Sequence, residues 1–149
     1  MRTSSNVMLV LDVNILVYAN DLDSPEFTRC RDWLDSVMNG REPVGLSWQT
    51  LLGFVRIITD PRMSKRPMSI AIACKIVSNW LSRPQVRVVE PGAHFWSLFT
   101  EQVAVAKISG RRVPDAALAC IALERNARVC TTDRDFARFA GLQLINPLR

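Results

Sequence analysis

The patterned part of the chain begins with an apolar run at 7–11, Val7-Met8-Leu9-Val10-Leu11, which breaks off at Asp12. A short continuous apolar run bounded by polar residues predicts a buried strand. Positions 15–19 follow as a first helix, closing in Asn20-Asp21-Leu22-Asp23. Ser24 and Pro25 predict the start of a second helix, with Ser24 as N-cap and Pro25 at the first helical position. Its apolar stripe of Phe27, Cys30, Leu34, Val37 and Met38 keeps a helical period, and Asn39-Gly40 ends it. Val44-Gly45-Leu46 is a second strand. Ser47 then caps a third helix carrying Leu51, Leu52, Phe54, Val55 and Ile58. That helix stops at Thr59-Asp60-Pro61, because proline disfavours helix at the residue before it.

A basic, proline-bounded loop at 61–67 leads to a fourth helix over 69–81. A strand over 86–90, a fifth helix over 94–107 and a loop over 108–113 come next. Pro114 opens a sixth helix over 115–126, with Asn126 as a left-handed cap. A strand at 128–131, a short helical turn at 133–139 and a last strand at 143–145 complete the chain. Strands alternating with helices predict an α/β domain with a mostly parallel sheet covered on both faces. No repeat, low-complexity tract or linker divides the sequence, so 1–149 is expected to be one domain.

Composition narrows the class only modestly. A hydrophobic content of 48% with 22% charged residues is that of an ordinary soluble globular chain. No apolar run approaches the ~20 residues needed to span a bilayer. Residues 1–6 lead directly into the first strand without the apolar region of a signal peptide. The expectation is a cytoplasmic protein with no membrane partner. Cys30, Cys74, Cys120 and Cys130 form no CxxC pair and sit among apolar residues, so they are expected to be core thiols. A zinc site would need tighter cysteine spacing and more histidine than the single His94. The net charge of +5 is carried mostly by arginine, which grips phosphate in a planar fork. That suits a nucleic-acid partner without establishing one.

The acidic positions change the picture more. Asp12 ends the first strand, Asp115 sits in the first turn of the sixth helix, and Asp133 and Asp135 follow the fourth strand. In a parallel α/β fold these places lie on one edge of the sheet, where ligands bind. A carboxylate ending a buried strand is costly unless something pairs with it, and for Asp12 capping explains less than it does for Asn14. Clustered aspartates repel one another, and hard oxygen donors suit Mg2+, with Mn2+ as the alternative ion. A divalent cation there would polarise a phosphoryl oxygen and lower the pKa of a water. That combination points to hydrolysis of phosphodiester bonds. Thr131 and Thr132 are candidates to orient the acids. Arg56, Arg62, Arg111, Arg112 and Arg134 are candidate phosphate contacts. Trp33, Trp48, Trp80 and Trp96 are expected to pack in the core or in an interface.

Asp12-Val13-Asn14, Pro114-Asp115-Ala116 and Thr131-Thr132-Asp133-Arg134-Asp135-Phe136 resemble the motifs of PIN domains, most closely those of VapC-type toxins of bacterial toxin–antitoxin pairs. Phe54-Val55-Arg56, Thr59-Asp60-Pro61-Arg62, Trp80-Leu81, Glu90-Pro91-Gly92 and Asn146-Pro147-Leu148 extend the likeness over nearly the whole chain. The resemblance implies a three-layer αβα sandwich with five strands in the order 3-2-1-4-5. It implies a Mg2+-dependent endoribonuclease acting on tRNA, rRNA or mRNA, a cognate VapB-type antitoxin, and a homodimer. Asp12, Asp115 and Asp133 would be the catalytic metal ligands. Asn14, Thr132, Asp135 and Arg112 would support them or contact substrate.

One departure stands out. The family usually places a glutamate on the third helix just before Phe-Val-Arg, and here that position is Gly53. Gln49 lies one turn earlier on the same helix face and carries an amide oxygen; Glu42 precedes the helix. The missing acid motivates a second reading, a PIN-fold module that binds RNA or antitoxin with weakened catalysis. A phosphatase with a strand-ending nucleophile would want a second aspartate at position 14, where Asn14 stands. A receiver domain would want a late lysine, and the lysines are Lys65, Lys75 and Lys107. Dinucleotide and nucleotide-hydrolase motifs are absent.

Overall fold

The computed structural model describes residues 7–149. The expectation about a leader at residues 1–6 lies outside the described residues. Five short strands, β1 (Leu9–Leu11), β2 (Val44–Leu46), β3 (Val86–Val88), β4 (Arg128–Cys130) and β5 (Gln143–Ile145), form one sheet in the order β3-β2-β1-β4-β5. Every neighbouring pair is parallel, so the expected order is realised.

Six helices connect the strands: α1 (Val13–Tyr18), α2 (Phe27–Met38), α3 (Trp48–Thr59), α4 (Ile70–Leu81), α5 (Phe95–Ala106) and α6 (Val113–Glu124). Alternation along each strand divides the core in two. Leu9, Leu11, Val44, Leu46 and Cys130 face α1 to α4, where Phe54 and Trp80 pack with ring centroids 4.9 Å apart. Val10 and Val129 face the other way, onto alanines of α6 and the Phe136–Phe139 pair. Small residues on α6 (Ala116, Ala119 and Ala122, all fully buried) let that helix lie close on the sheet. Among the described residues no helix is long and apolar enough to cross a membrane.

Several boundaries differ from the pattern, each for a local reason. α1 starts at Val13 because Asp12 itself is its N-cap. The Ser24-Pro25 start is displaced: Ser24 closes a turn with Glu26, accepting the Glu26 N–H and donating to its carboxylate, and α2 begins at Phe27. β3 ends at Val88 instead of reaching residue 90. Cys74 is exposed on α4, against the expected core role, whereas Cys30, Cys120 and Cys130 are buried thiols. Trp80 is buried, but Trp48 and Trp96 present much of their rings to solvent. Asn126 adopts the left-handed conformation expected of it, with φ 52°.

Gly45 sits mid-strand in β2, on the face turned toward α6. A Cβ there would meet Met8 Sδ at 2.8 Å and Val89 Cγ1 at 3.0 Å. Gly45→Val should therefore overpack this face and cost about 1–3 kcal/mol. Urea unfolding should show a lower midpoint at unchanged slope.

Candidate active site

The edge formed by the carboxyl ends of β1 and β4 gathers the acidic residues. Leu11 lies opposite Cys130 in the register, and the Asp12 N–H donates to the Cys130 carbonyl at 3.0 Å. Asp12 thus leaves the sheet beside Thr131, 119 positions away in sequence. One Asp12 oxygen accepts the Val13 N–H at 2.8 Å, and the other accepts the Thr131 hydroxyl at 2.8 Å. Thr131 Oγ1 in turn accepts the Asp133 N–H at 3.0 Å, and Asp133 Oδ1 accepts the Asp135 N–H at 2.9 Å. This relay ties three of the acids to one backbone segment. It sends Asp133 and Asp135 into a 3₁₀ turn (Arg134–Arg138) capped by Asp133.

Asp115 arrives from the other side, in the first turn of α6, behind a 3₁₀ turn (Gly110–Arg112). That turn carries Arg112 into the middle of the acids. Arg112 Nη1 donates to Asp133 Oδ2 at 3.0 Å and to Asp115 Oδ2 at 3.2 Å, while Nη2 donates to Asp135. Asp12, Asn14, Asp115, Asp133, Arg111 and Arg112 line one cavity of ≈ 530 Å3. Asp12, Asp115 and Asp133 therefore border a single space, and one guanidinium bridges Asp115, Asp133 and Asp135. Among the described residues no three acidic, histidine or cysteine side chains are already drawn together at metal-holding distance.

The electrostatics follow from that arrangement. Asp12 is only 5% exposed. Burial pushes its pKa up to about 6, the Thr131 and Val13 hydrogen bonds oppose the rise, and the Asp115 and Asp133 charges add to it. Asp115 is also raised, chiefly by burial, with Arg112 working against the shift. Donating hydrogen bonds to Asp133 and Asp115 makes Arg112 hold its proton more tightly still. Three carboxylates, Asp115, Asp133 and Asp135, share one arginine, and the deeper Asp12 receives no direct bond from it. The donor set fits a hard divalent cation: the oxygens are carboxylates, and the buried one lacks a full counter-charge.

The remaining candidates separate. Thr131, not Thr132, holds the Asp12 carboxylate; Thr132 is half-buried and makes no side-chain hydrogen bond among the described residues. Successive strand residues face opposite sides, so only one threonine could reach Asp12, and choosing it required the register. Asn14 reaches the cavity wall without a side-chain bond. Arg62 is engaged by Asp60 through two hydrogen bonds and points to no acid of the site. Two recesses flank the centre. One, ≈ 480 Å3, contains Asp12, Asp115, Gly53, Gln49 and Arg56. The other, ≈ 680 Å3, contains Asp133, Arg134 and Arg149. Arg149 escaped the sequence reading, because nothing local marks a terminal arginine as part of a site.

A parallel sheet in this order, with acids at the carboxyl ends of its two central strands and at the start of α6, is the architecture of a PIN domain. The PIN domain family model matches residues 9–142, and the chain belongs to that family. It is 38% identical to Ribonuclease VapC43 of Mycobacterium tuberculosis over 141 residues, 95% of this chain and 96% of that protein. Among solved structures it resembles VapBC2 from Rickettsia felis bound to a DNA fragment from their promoter (TM-score 0.67, 21% identity, 93% of this chain and 98% of that one). It also resembles a toxin–antitoxin complex from Klebsiella pneumoniae (TM-score 0.62, 13% identity, 93% and 97%).

The raised Asp12 pKa has a thermodynamic consequence. The folded metal-free chain holds this proton to about pH 6, whereas an ordinary aspartate loses it near 3.8. Folding takes up a proton between those values, so stability falls as pH rises through them. The penalty is absent below the lower value and complete above the upper. Asp12→Asn, which can still cap α1, should stabilise the metal-free protein by up to roughly 3 kcal/mol at pH 7.5. The gain should vanish near pH 3.5. Thermal unfolding in chelator at the two pH values measures it.

Proposed function

We propose that this chain is a divalent-metal-dependent endoribonuclease and the toxin of a toxin–antitoxin pair, acting as a single PIN domain in the cytoplasm. The observation that carries the reading is Asp12: a buried, incompletely compensated carboxylate on the cavity it shares with Asp115 and Asp133. The likeness to a VapC ribonuclease over almost the whole chain supports the substrate class. The VapBC2 and toxin–antitoxin structures of the same fold support a VapB-type antitoxin as partner. A homodimer is supported by the apolar side chains that α5 leaves in solvent, Trp96 and Val105.

In this reading Asp12, Asp115 and Asp133 hold Mg2+, with Mn2+ as substitute. When bound, the cation polarises a phosphoryl oxygen and makes a water easier to deprotonate. Thr131 orients Asp12 by fixing one of its oxygens. Asn14, uncommitted at the cavity wall, is placed to bond a phosphate oxygen. Arg112 serves the metal-free protein as counter-ion to Asp115, Asp133 and Asp135. With its acids engaged by a cation, the Arg112 guanidinium would be available to contact a substrate phosphate.

The weakened-module reading keeps one supporting observation. Gly53 lines the recess beside Asp12 and Asp115 and brings no carboxylate to it. RNA bound without metal-dependent turnover would favour that reading.

Cleavage and binding measurements test the proposal. Purified protein incubated with defined tRNA, rRNA and mRNA fragments should cleave in Mg2+ and stop in chelator. Asp12→Ala should abolish cleavage while the circular dichroism spectrum is unchanged, and full cleavage by that variant would refute the mechanism. Arg112→Ala should bind Mn2+ more tightly, read by electron paramagnetic resonance titration, because the competing cation is gone. The same variant should bind RNA more weakly, and unchanged Mn2+ affinity would remove Arg112 from the role of counter-ion.

A further inference from the structure

The recess beside Asp12 and Asp115 has features that metal binding does not use. One face of α3 forms its wall: Gln49, Leu52, Gly53 and Arg56 follow one another at helical spacing. Pro114 and Leu118 of α6 stand across from them. Gly53 is bare backbone in the middle of this wall. A Cβ there would touch only Val13 Cγ2, at 3.4 Å, so the space in front of it is open. The polar groups at the two ends are uncommitted. Neither the Gln49 amide nor the Arg56 guanidinium has a side-chain hydrogen bond among the described residues, and both residues are exposed. The volume, ≈ 480 Å3, falls in the ~300–1,000 Å3 range of small-molecule pockets.

We propose that this recess is a nucleobase pocket, which receives a base of the single-stranded RNA next to the phosphate at the acidic centre. The inference rests on the nuclease reading above and adds a specificity site to it. Its chemistry matches an unstacked base. Leu52, Pro114 and Leu118 offer apolar surface to the ring faces, and the Gln49 amide can donate to and accept from the ring edge. Arg56 lies beyond the bare centre and meets the neighbouring phosphate. The pocket opens onto the cleavage centre because Asp12 and Asp115 belong to both. Across that centre the opposite recess carries Arg134 and Arg149, so the backbone of a bound strand finds arginine on either side. Gly53 is therefore a specificity-determining position: a larger residue there would fill the pocket.

The test separates base from backbone. Affinity is measured in chelator for a ten-nucleotide single-stranded RNA and for an abasic ribose-phosphate strand of the same length. The intact strand should bind about tenfold more tightly. Gly53→Leu should lower its affinity to that of the abasic strand. Gln49→Ala, on an exposed helix position, should change the ranking of the four homopolymers and decides the matter should Gly53→Leu not fold. Arg56→Ala should weaken both strands alike and reduce the salt slope by roughly 0.7. Equal affinity for the two strands, binding to neither, or an intact-strand preference that survives both Gly53→Leu and Gln49→Ala overturns the proposal. A recess built for a protein segment predicts the first of these. The nuclease reading stands or falls separately, on whether cleavage depends on Asp12.

Discussion

The cost of burying the Asp12 carboxylate is the constraint around which this edge of the molecule is arranged. An isolated carboxylate in an apolar setting is expensive, and proteins meet the cost by hydrogen bonding, by pairing or by protonation. Here two hydrogen bonds meet part of it, from the Val13 amide and the Thr131 hydroxyl. They do not meet all of it, and the residue keeps its proton up to about pH 6. A site that stores unfavourable charge when empty gains the most when a cation arrives. A PIN fold with this carboxylate removed would be more stable and would lose that capacity.

The sheet makes the arrangement possible. β1 lies between β2 and β4, and β4 comes from the far end of the sequence. The crossover sets Leu11 opposite Cys130 and therefore Asp12 beside Thr131. Alternation along β1 and β4 then sends apolar side chains to both covering layers, which fixes the register, because a slip of one residue would exchange the two faces. The fully buried Leu11 and Val129 thus hold the geometry of a polar site they do not touch.

Much of this was legible in the chain. The apolar run ending at Asp12, Pro114 before Asp115, and the acids after the fourth strand were visible as local patterns, and a parallel fold turns such patterns into neighbours. Capping was misjudged at two places. Asp12, for which residue type argues capping less strongly than for Asn14, is the cap of α1, and a local turn with Glu26 takes the cap role from Ser24. Both are decided by backbone angles that residue type only biases. Thr131 and Thr132 look alike in sequence, and only the pairing of β1 with β4 separates them. The exposure of Cys74 was hidden because apolar neighbours in sequence need not be neighbours on the buried face of a helix. The threefold engagement of Arg112 was beyond local pattern, since its partners come from α6 and from the segment after β4.

Arg112 holds three of the four acids together. Carboxylates this near one another need positive charge, and the chain supplies it from the turn just before Asp115. The guanidinium is planar and bridges acids without drawing their oxygens into the tight octahedron that Mg2+ demands. It therefore keeps the carboxylates gathered without organising them for the cation. Asp12 is the exception, because it makes no bond to Arg112 and its position is set by β1, α1 and Thr131. The sheet edge thus supplies Asp12, Asp133 and Asp135 through the Thr131 relay, and α6 supplies Asp115. Asp12 is costly chiefly because it is buried at the end of β1, and the charges of Asp115 and Asp133 add to that cost.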